Sequence, residues 1–181
     1  MSRIFTIGHS TRELDDVVSM LRPSGVTHLV DVRSFPASRK HPQWNQQAIR
    51  EALPPDIEYR WMAALGGRRH TPAGVPSPNG GWRVKGFRDY ADSMGTPAFR
   101  EGLDELLALA AEAIPAIMCS EALPWRCHRR LITDALLVAG TEVVHLVSPT
   151  STEHATLTPF ARIRDGQITY PPPGTETAPL L

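Results

Sequence analysis

Short apolar runs alternate with stretches of helical periodicity along this chain. Ile4-Phe5-Thr6-Ile7 is an apolar run of strand length, followed by Gly8-His9-Ser10-Thr11. Leu14, Val17, Val18 and Leu21 then form one apolar stripe that closes at Pro23 and Gly25, with Ser10 or Thr11 expected as its cap and Glu13 or Asp15 in its first turn. Thr27 to Arg33 reads as a second buried strand. Strand, helix and strand within about thirty residues make a βαβ unit, so these strands should be parallel and the crossover right-handed.

The pattern continues with a short helix from the Pro42–Gln47 region to Leu53, ended by Pro54-Pro55, and a third strand from Ile57 to Met62 that alternates in polarity. Thr71 to Gly86 is rich in Pro, Gly, Ser and Asn and reads as a long irregular loop, a possible lid. A short helix is expected from Phe87 to Met94. Thr96-Pro97 then starts a longer one with Phe99, Leu103, Leu106, Leu107 and Ala110 on its apolar face. Ala116-Ile117-Met118 is a buried strand, Leu131 to Ala139 a helix stopped by Gly140, and Val143 to Val147 a further strand. The chain beyond Pro149 reads as loop, except for a hairpin over residues 161–170 turned by Asp165-Gly166, and the residues from 171 to 181 as a loosely packed tail. The expected fold is a single three-layer α/β/α domain over residues 1–170 with a mostly parallel sheet.

In such a sheet the strand ends share one edge, and ligands bind where strands pass into helices. The densest chemistry falls there. Between Pro115 and Arg130 lie both cysteines, Glu121, His128 and three arginines. Cys119 and Glu121 are two apart and share a face while the strand stays extended. Cys127 and His128 fall at the start of the next helix, where free amides and the helix dipole favour negative charge and would ease ionisation of a thiol. With the other strand ends, His9, Asp31, Arg33, Cys119, Glu121, Cys127 and His128 are expected to converge in one cleft. Cys119, Glu121, Cys127, His128 and His9 are its candidate catalytic groups, and Ser10, Asp31, Arg33, Arg68 and Arg129 its candidate substrate and anion contacts.

Composition changes this picture little. With 181 residues, 41% hydrophobic and 21% charged, the chain suits one soluble domain. No run approaches membrane-spanning length and no signal-peptide pattern is present, so a cytoplasmic location is expected. The formal net charge of +0 hides an asymmetry: residues 33–88 are strongly basic and 89–121 acidic. Either the two segments neutralise each other, or the basic one meets an anionic partner. Trp82 beside Arg83 fits base stacking next to a phosphate, or a tryptophan pinning the loop to the core.

Ile-Phe-Thr-Ile-Gly8-His9-Ser10-Thr11, Leu-Val-Asp31-Val-Arg33-Ser-Phe-Pro36, Leu65-Gly66-Gly67 and Met-Cys119-Ser-Glu121 with Cys127-His128-Arg129-Arg130 resemble, in order, the signature blocks of the bacterial and archaeal family called domain of unknown function 488. The resemblance implies a compact α/β domain and marks Gly8, His9, Asp31, Arg33, Cys119, Glu121, Cys127, His128 and Arg129 without assigning them roles. A weaker likeness is to rhodanese domains, which also combine an Asp-Val-Arg strand end with a cysteine after a central strand. Here the loop after Cys119 is longer and lacks glycine, which speaks against sulfur transfer. A cysteine-phosphatase loop would need arginine at position 125, which is Trp125.

Cys119, Cys127, His128 and His9 are metal-ligating types, yet their spacing matches no zinc knuckle and no metal site is expected. The pattern names no cofactor and leaves the cysteines open as thiols, a disulfide or ligands. Two functions follow as expectations. One is an enzyme acting on an anionic small molecule, nucleotide or nucleic-acid base, with a cysteine as nucleophile or redox group, Glu121 as acid/base, and Arg33, Arg68 and Arg129 holding the anion. The other is a nucleic-acid-binding or regulatory module using Arg39, Lys40, Arg68, Arg69, Trp82, Arg83 and Lys85.

Overall fold

A computed structural model describes residues 1–174, so most of the expected tail lies outside the described residues. Six strands form one sheet: β1 (Arg3–Gly8), β2 (His28–Asp31), β3 (Glu58–Trp61), β4 (Pro115–Cys119), β5 (Glu142–Ser148) and β6 (Ser151–His154), in the order β3-β2-β4-β1-β5-β6. All neighbours run parallel except β6, which is antiparallel to β5. The helices are α1 (Leu14–Leu21), α2 (Gln46–Ala52), α3 (Lys85–Ser93), α4 (Pro97–Glu112) and α5 (Arg129–Val138).

The strands divide their apolar residues between two faces, as a pleated sheet buried on both sides requires. Phe5, Leu29, Ala116, Met118 and Val144 pack with Leu14, Val17 and Leu21 of α1 and Ile49 of α2. Ile4, Val30, Ile117, Cys119 and Val143 pack with Tyr90 of α3, Phe99 and Leu106 of α4, and Leu131, Ile132 and Leu136 of α5. These are the three layers. The Asp165-Gly166 hairpin also forms, joining β7 (Arg162–Arg164) to β8 (Gln167–Thr169) with both turn residues at positive φ.

Two local expectations are corrected, and one open alternative, that of Trp82, is decided. Neither Ser10 nor Thr11 caps α1; the helix starts after Glu13, and no side chain caps it. Ser10 instead turns the chain at a positive φ, after the His9 and Ser10 amides have bonded to the carbonyls of Cys119 and Ser120. The segment beyond Pro149 is not all loop: β6 is a two-faced exposed edge strand and so carries no apolar signal. Trp82 is buried against Phe87, Phe160 and Tyr170 with Arg130 over its ring, so it pins the loop and offers no stacking surface. The same loop is tied to α3 where Asp92 accepts hydrogen bonds from Thr71, Ser77 and Asn79. The basic and acidic segments meet in one ion pair among the described residues, Lys85 with Asp89.

Candidate functional site

At the C-terminal edge of the sheet a cleft of about 700 Å³ opens. His9, Ser10, Arg33, Arg68, Cys119, Glu121, Cys127 and His128 all line it. Of the ten residues singled out from the sequence, Asp31 and Arg129 lie beneath the cleft and do not line its wall.

Cys119 ends β4, and Cys127 follows a 3-10 turn (Pro124–Arg126) that leads into α5. Their sulfurs lie 2.7 Å apart. The Arg129 backbone amide, in the first turn of α5, donates to Cys127 Sγ at 3.3 Å, and the Arg129 side chain folds back beneath both cysteines. Its Nε donates to Cys119 Sγ at 3.0 Å, Nη1 to Thr6 Oγ1 at 3.2 Å, and Nη2 to the Glu121 carbonyl. This guanidinium is 1% exposed and meets no carboxylate among the described residues. A buried cation needs a counter-charge, and among the described residues the sulfurs are the only neighbours able to carry one.

The ionisation of the two thiols diverges accordingly. Burial pushes Cys119 well above an ordinary thiol, and the hydrogen bond to Cys127 adds to this. Burial opposes ionisation of Cys127 too, but the hydrogen bond from Cys119, the neighbouring His128 and the Arg129 charge outweigh it and hold Cys127 well below the ordinary range. Arg129 donates to Cys119 rather than to Cys127 through its side chain. We assign the negative charge to Cys127, because the Arg129 amide and the Cys119 thiol both point at it while Cys119 retains a proton to donate.

His128 stands beside the thiolate. Its Nε2 faces the Val32 carbonyl at 2.7 Å and must carry a proton, so Nδ1 faces Cys127 Sγ, at 3.5 Å. A carbonyl-oriented imidazole next to a thiol has the logic of a nucleophile–base pair with a third orienting group. Gly67 makes room for it: a Cβ there would lie 2.5 Å from His128 Nδ1. Gly8 serves a similar end, since a Cβ would fall on the Glu121 carbonyl. The Gly66-Gly67 pair therefore admits the side chains of Ser34 and His128.

The other half of the floor is built on a carboxylate. Asp31, fully buried at the end of β2, takes Arg33 Nε at 2.9 Å and Nη2 at 2.7 Å, and the Tyr59 hydroxyl at 2.7 Å. Arg33 Nη2 also donates to the Trp44 carbonyl, which leaves Nη1 facing His9 Nε2 at 3.4 Å. His9 stacks on Trp44 and donates from Nδ1 to the Ser10 carbonyl. Burial, with Arg33 nearby, lowers its pKa to about 4, so the ring is neutral at pH 7.

Along the rim, Arg68 lies over the Phe35 ring at 5.2 Å, and Arg126 and His41 also line the cleft. Neither Arg68 nor Arg126 has a carboxylate partner among the described residues. Glu121 accepts from the Leu123 amide through Oε1 alone. Several residues of this arrangement escaped the sequence reading: Thr6, Trp44, His41 and Arg126. Thr6 carried one usable sign, a polar residue inside an apolar strand run. It touches both Arg129 Nη1 and His145 Nδ1. Arg69 is spent on the carbonyls of Ala64 and Gly66 and does not reach the cleft. Among the described residues no group of three or more His, Cys, Asp or Glu is arranged to hold a metal ion, and no helix is long and apolar enough to cross a membrane.

Neither curated proteins nor solved structures provide a match to the chain. A family match covers residues 13–136, more than half of the chain, and includes β2 to β4, both cysteines, His128 and Arg129. The chain belongs to the family described as domain of unknown function DUF488.

Proposed function

We propose that this protein is an enzyme acting on a small anionic substrate, with Cys127 as its nucleophile. The observation that carries this reading is the buried Arg129 guanidinium, which has two sulfurs and no carboxylate to balance it. A thiolate is the reactive form of cysteine, and a chain that buries a cation to stabilise one at a cleft floor has made a nucleophile. His128 Nδ1 is placed to move a proton to or from that sulfur or a group bound to it. Glu121, whose Oε2 makes no hydrogen bond among the described residues, is a second acid/base on the same wall.

Substrate charge is inferred from the rim. Arg68, Arg126 and Arg33 all line the cleft, and Ser10, Ser34 and Ser38 add hydroxyl groups. Guanidinium groups with free donors suit a carboxylate or phosphate. A nucleotide-sized anion fits a cleft of about 700 Å³.

The test compares a neutral and an anionic alkylating agent on the intact protein. An ordinary thiol shows no preference for iodoacetate over iodoacetamide. The proposal predicts that Cys127 is alkylated at pH 6 much faster than a free thiol, that iodoacetate gains relative to iodoacetamide, and that inorganic phosphate protects. Alkylation that rises only near the ordinary thiol pKa of about 8.5, with no such preference, would refute it.

A further inference from the structure

Cys119 takes part in no chemical step of the reading above, yet it touches the nucleophile. A resident thiol within contact of a thiolate cannot be neutral to the chemistry of that sulfur. If only a counter-charge for Arg129 were needed, one cysteine would do. The structure holds two sulfurs 2.7 Å apart, both on the cleft wall, both in the same packed layer.

Resting on the assignment of Cys127 as a thiolate, we infer that Cys119 is its resolving partner, and that the pair forms a reversible dithiol–disulfide couple through which the protein reduces small hydroperoxides. The Cys127 thiolate attacks the terminal oxygen of the hydroperoxide. A sulfur–oxygen bond forms, the oxygen–oxygen bond breaks, and the departing alkoxide or hydroxide takes a proton from solvent in the open cleft. Cys127 is oxidised to a sulfenic acid, and the hydroperoxide is reduced to an alcohol or water. Cys119 then attacks the Cys127 sulfur. The sulfur–sulfur bond forms, the sulfur–oxygen bond breaks, and the hydroxyl leaves as water with the proton from Cys119. A small dithiol reductant completes the cycle by two thiol–disulfide exchanges, becoming a disulfide and returning both protein thiols. The shallow exposure of both sulfurs, 3% for Cys119 and 6% for Cys127, admits a small oxidant more readily than a bulky one.

Arg129 sets the direction of this couple. Reduced, the pair carries the charge that balances the guanidinium. Oxidised, it is neutral, and Arg129 remains buried with hydroxyl and carbonyl partners alone. The disulfide form should therefore be the less stable one and should be readily reduced. A structural bridge would behave in the opposite way.

Hydrogen peroxide is the probe, added to the reduced full-length protein and followed by intact mass and thiol counting. The couple predicts loss of two thiols per chain with loss of two hydrogens, an internal Cys119–Cys127 bridge, full reversal by dithiothreitol, and a lower melting temperature for the oxidised form. In Cys119→Ser the reaction should stop at a Cys127 sulfenic acid that dimedone traps, and in Cys127→Ser thiol loss should slow about tenfold or more. Thiols that survive excess peroxide in the wild-type protein, or a bridge that raises the melting temperature, would overturn the inference. Because wild-type protein carries the decisive readout, misfolding of a variant does not remove the test. Rapid alkylation of Cys127 at pH 6 without a peroxide-induced bridge would end the inference and leave the nucleophile standing; slow alkylation would remove both.

Discussion

Two buried arginines underlie the cleft, and they are balanced in different ways. Arg33 is held by Asp31, with two hydrogen bonds of 2.9 and 2.7 Å, and its orientation is fixed by the Trp44 carbonyl. Arg129 has no carboxylate among the described residues and is held by Cys119 Sγ, Thr6 Oγ1 and the Glu121 and Ala122 carbonyls. A carboxylate keeps its charge at neutral pH whether or not the arginine is present. A buried thiol is held as a thiolate only by its neighbours, here the Cys119 hydrogen bond, His128 and the Arg129 charge. The first pair is a structural fixture, and the second is a device for keeping sulfur charged.

The difference is open to direct attack. In Arg33→Met the Asp31 carboxylate is stranded in the interior, and the expected loss of stability is about 3–5 kcal/mol. Arg129→Met strands no permanent charge, because Cys127 can take a proton. It loses hydrogen bonds to Thr6 and the loop carbonyls and should cost about 1–3 kcal/mol, while acid-side reactivity of Cys127 is reduced. Denaturant midpoints of the two variants at pH 7 measure this. Equal costs, or acid-side reactivity of Cys127 unchanged in Arg129→Met, would erase the contrast.

A smaller effect concerns the histidine beside each arginine. Burial, with Arg33 near His9 and Arg129 near His145, lowers both to about 4. Each ring is neutral when folded and would protonate near 6.5 when unfolded, so the unfolded state binds more protons between those values. Their contribution is complete above pH 6.5 and is lost as pH falls toward 4, at up to about 1.4 kcal/mol per pH unit for each ring. His9→Gln or His145→Gln should flatten the acid limb of a stability–pH curve; unchanged slopes would show that these rings titrate normally.

Much of this site could be read from the chain, because the strand ends carried it. The apolar runs ending at Gly8, Asp31 and Cys119 and the restart of helical periodicity after His128 placed the polar groups on one edge, where β1, β2, β4 and α5 deliver them. What the pattern could not convey was depth. Asp31 and Arg129 look like exposed site residues in a linear reading, but both turn inward and hold other side chains. Whether a polar residue faces the cavity or its foundations depends on contacts between distant segments, such as Tyr59 to Asp31 or Thr6 to Arg129. The edge strand β6 was invisible for a different reason: it buries nothing, so it needs no hydrophobic pattern. The glycines at 8 and 67 gave a sign of close approach but not of what approaches.

The account depends on a thiolate at Cys127, and thiolate absorbance near 240 nm tests it most directly. The reduced wild-type protein, titrated between pH 4 and 10 against Cys127→Ser, should show one thiolate already present well below the free-thiol pKa of about 8.5, absent from the variant, with Cys119 ionising far later. A difference spectrum that appears only near pH 8.5 would mean that Arg129 is balanced by something other than sulfur, and the nucleophile and its redox partner would fall together.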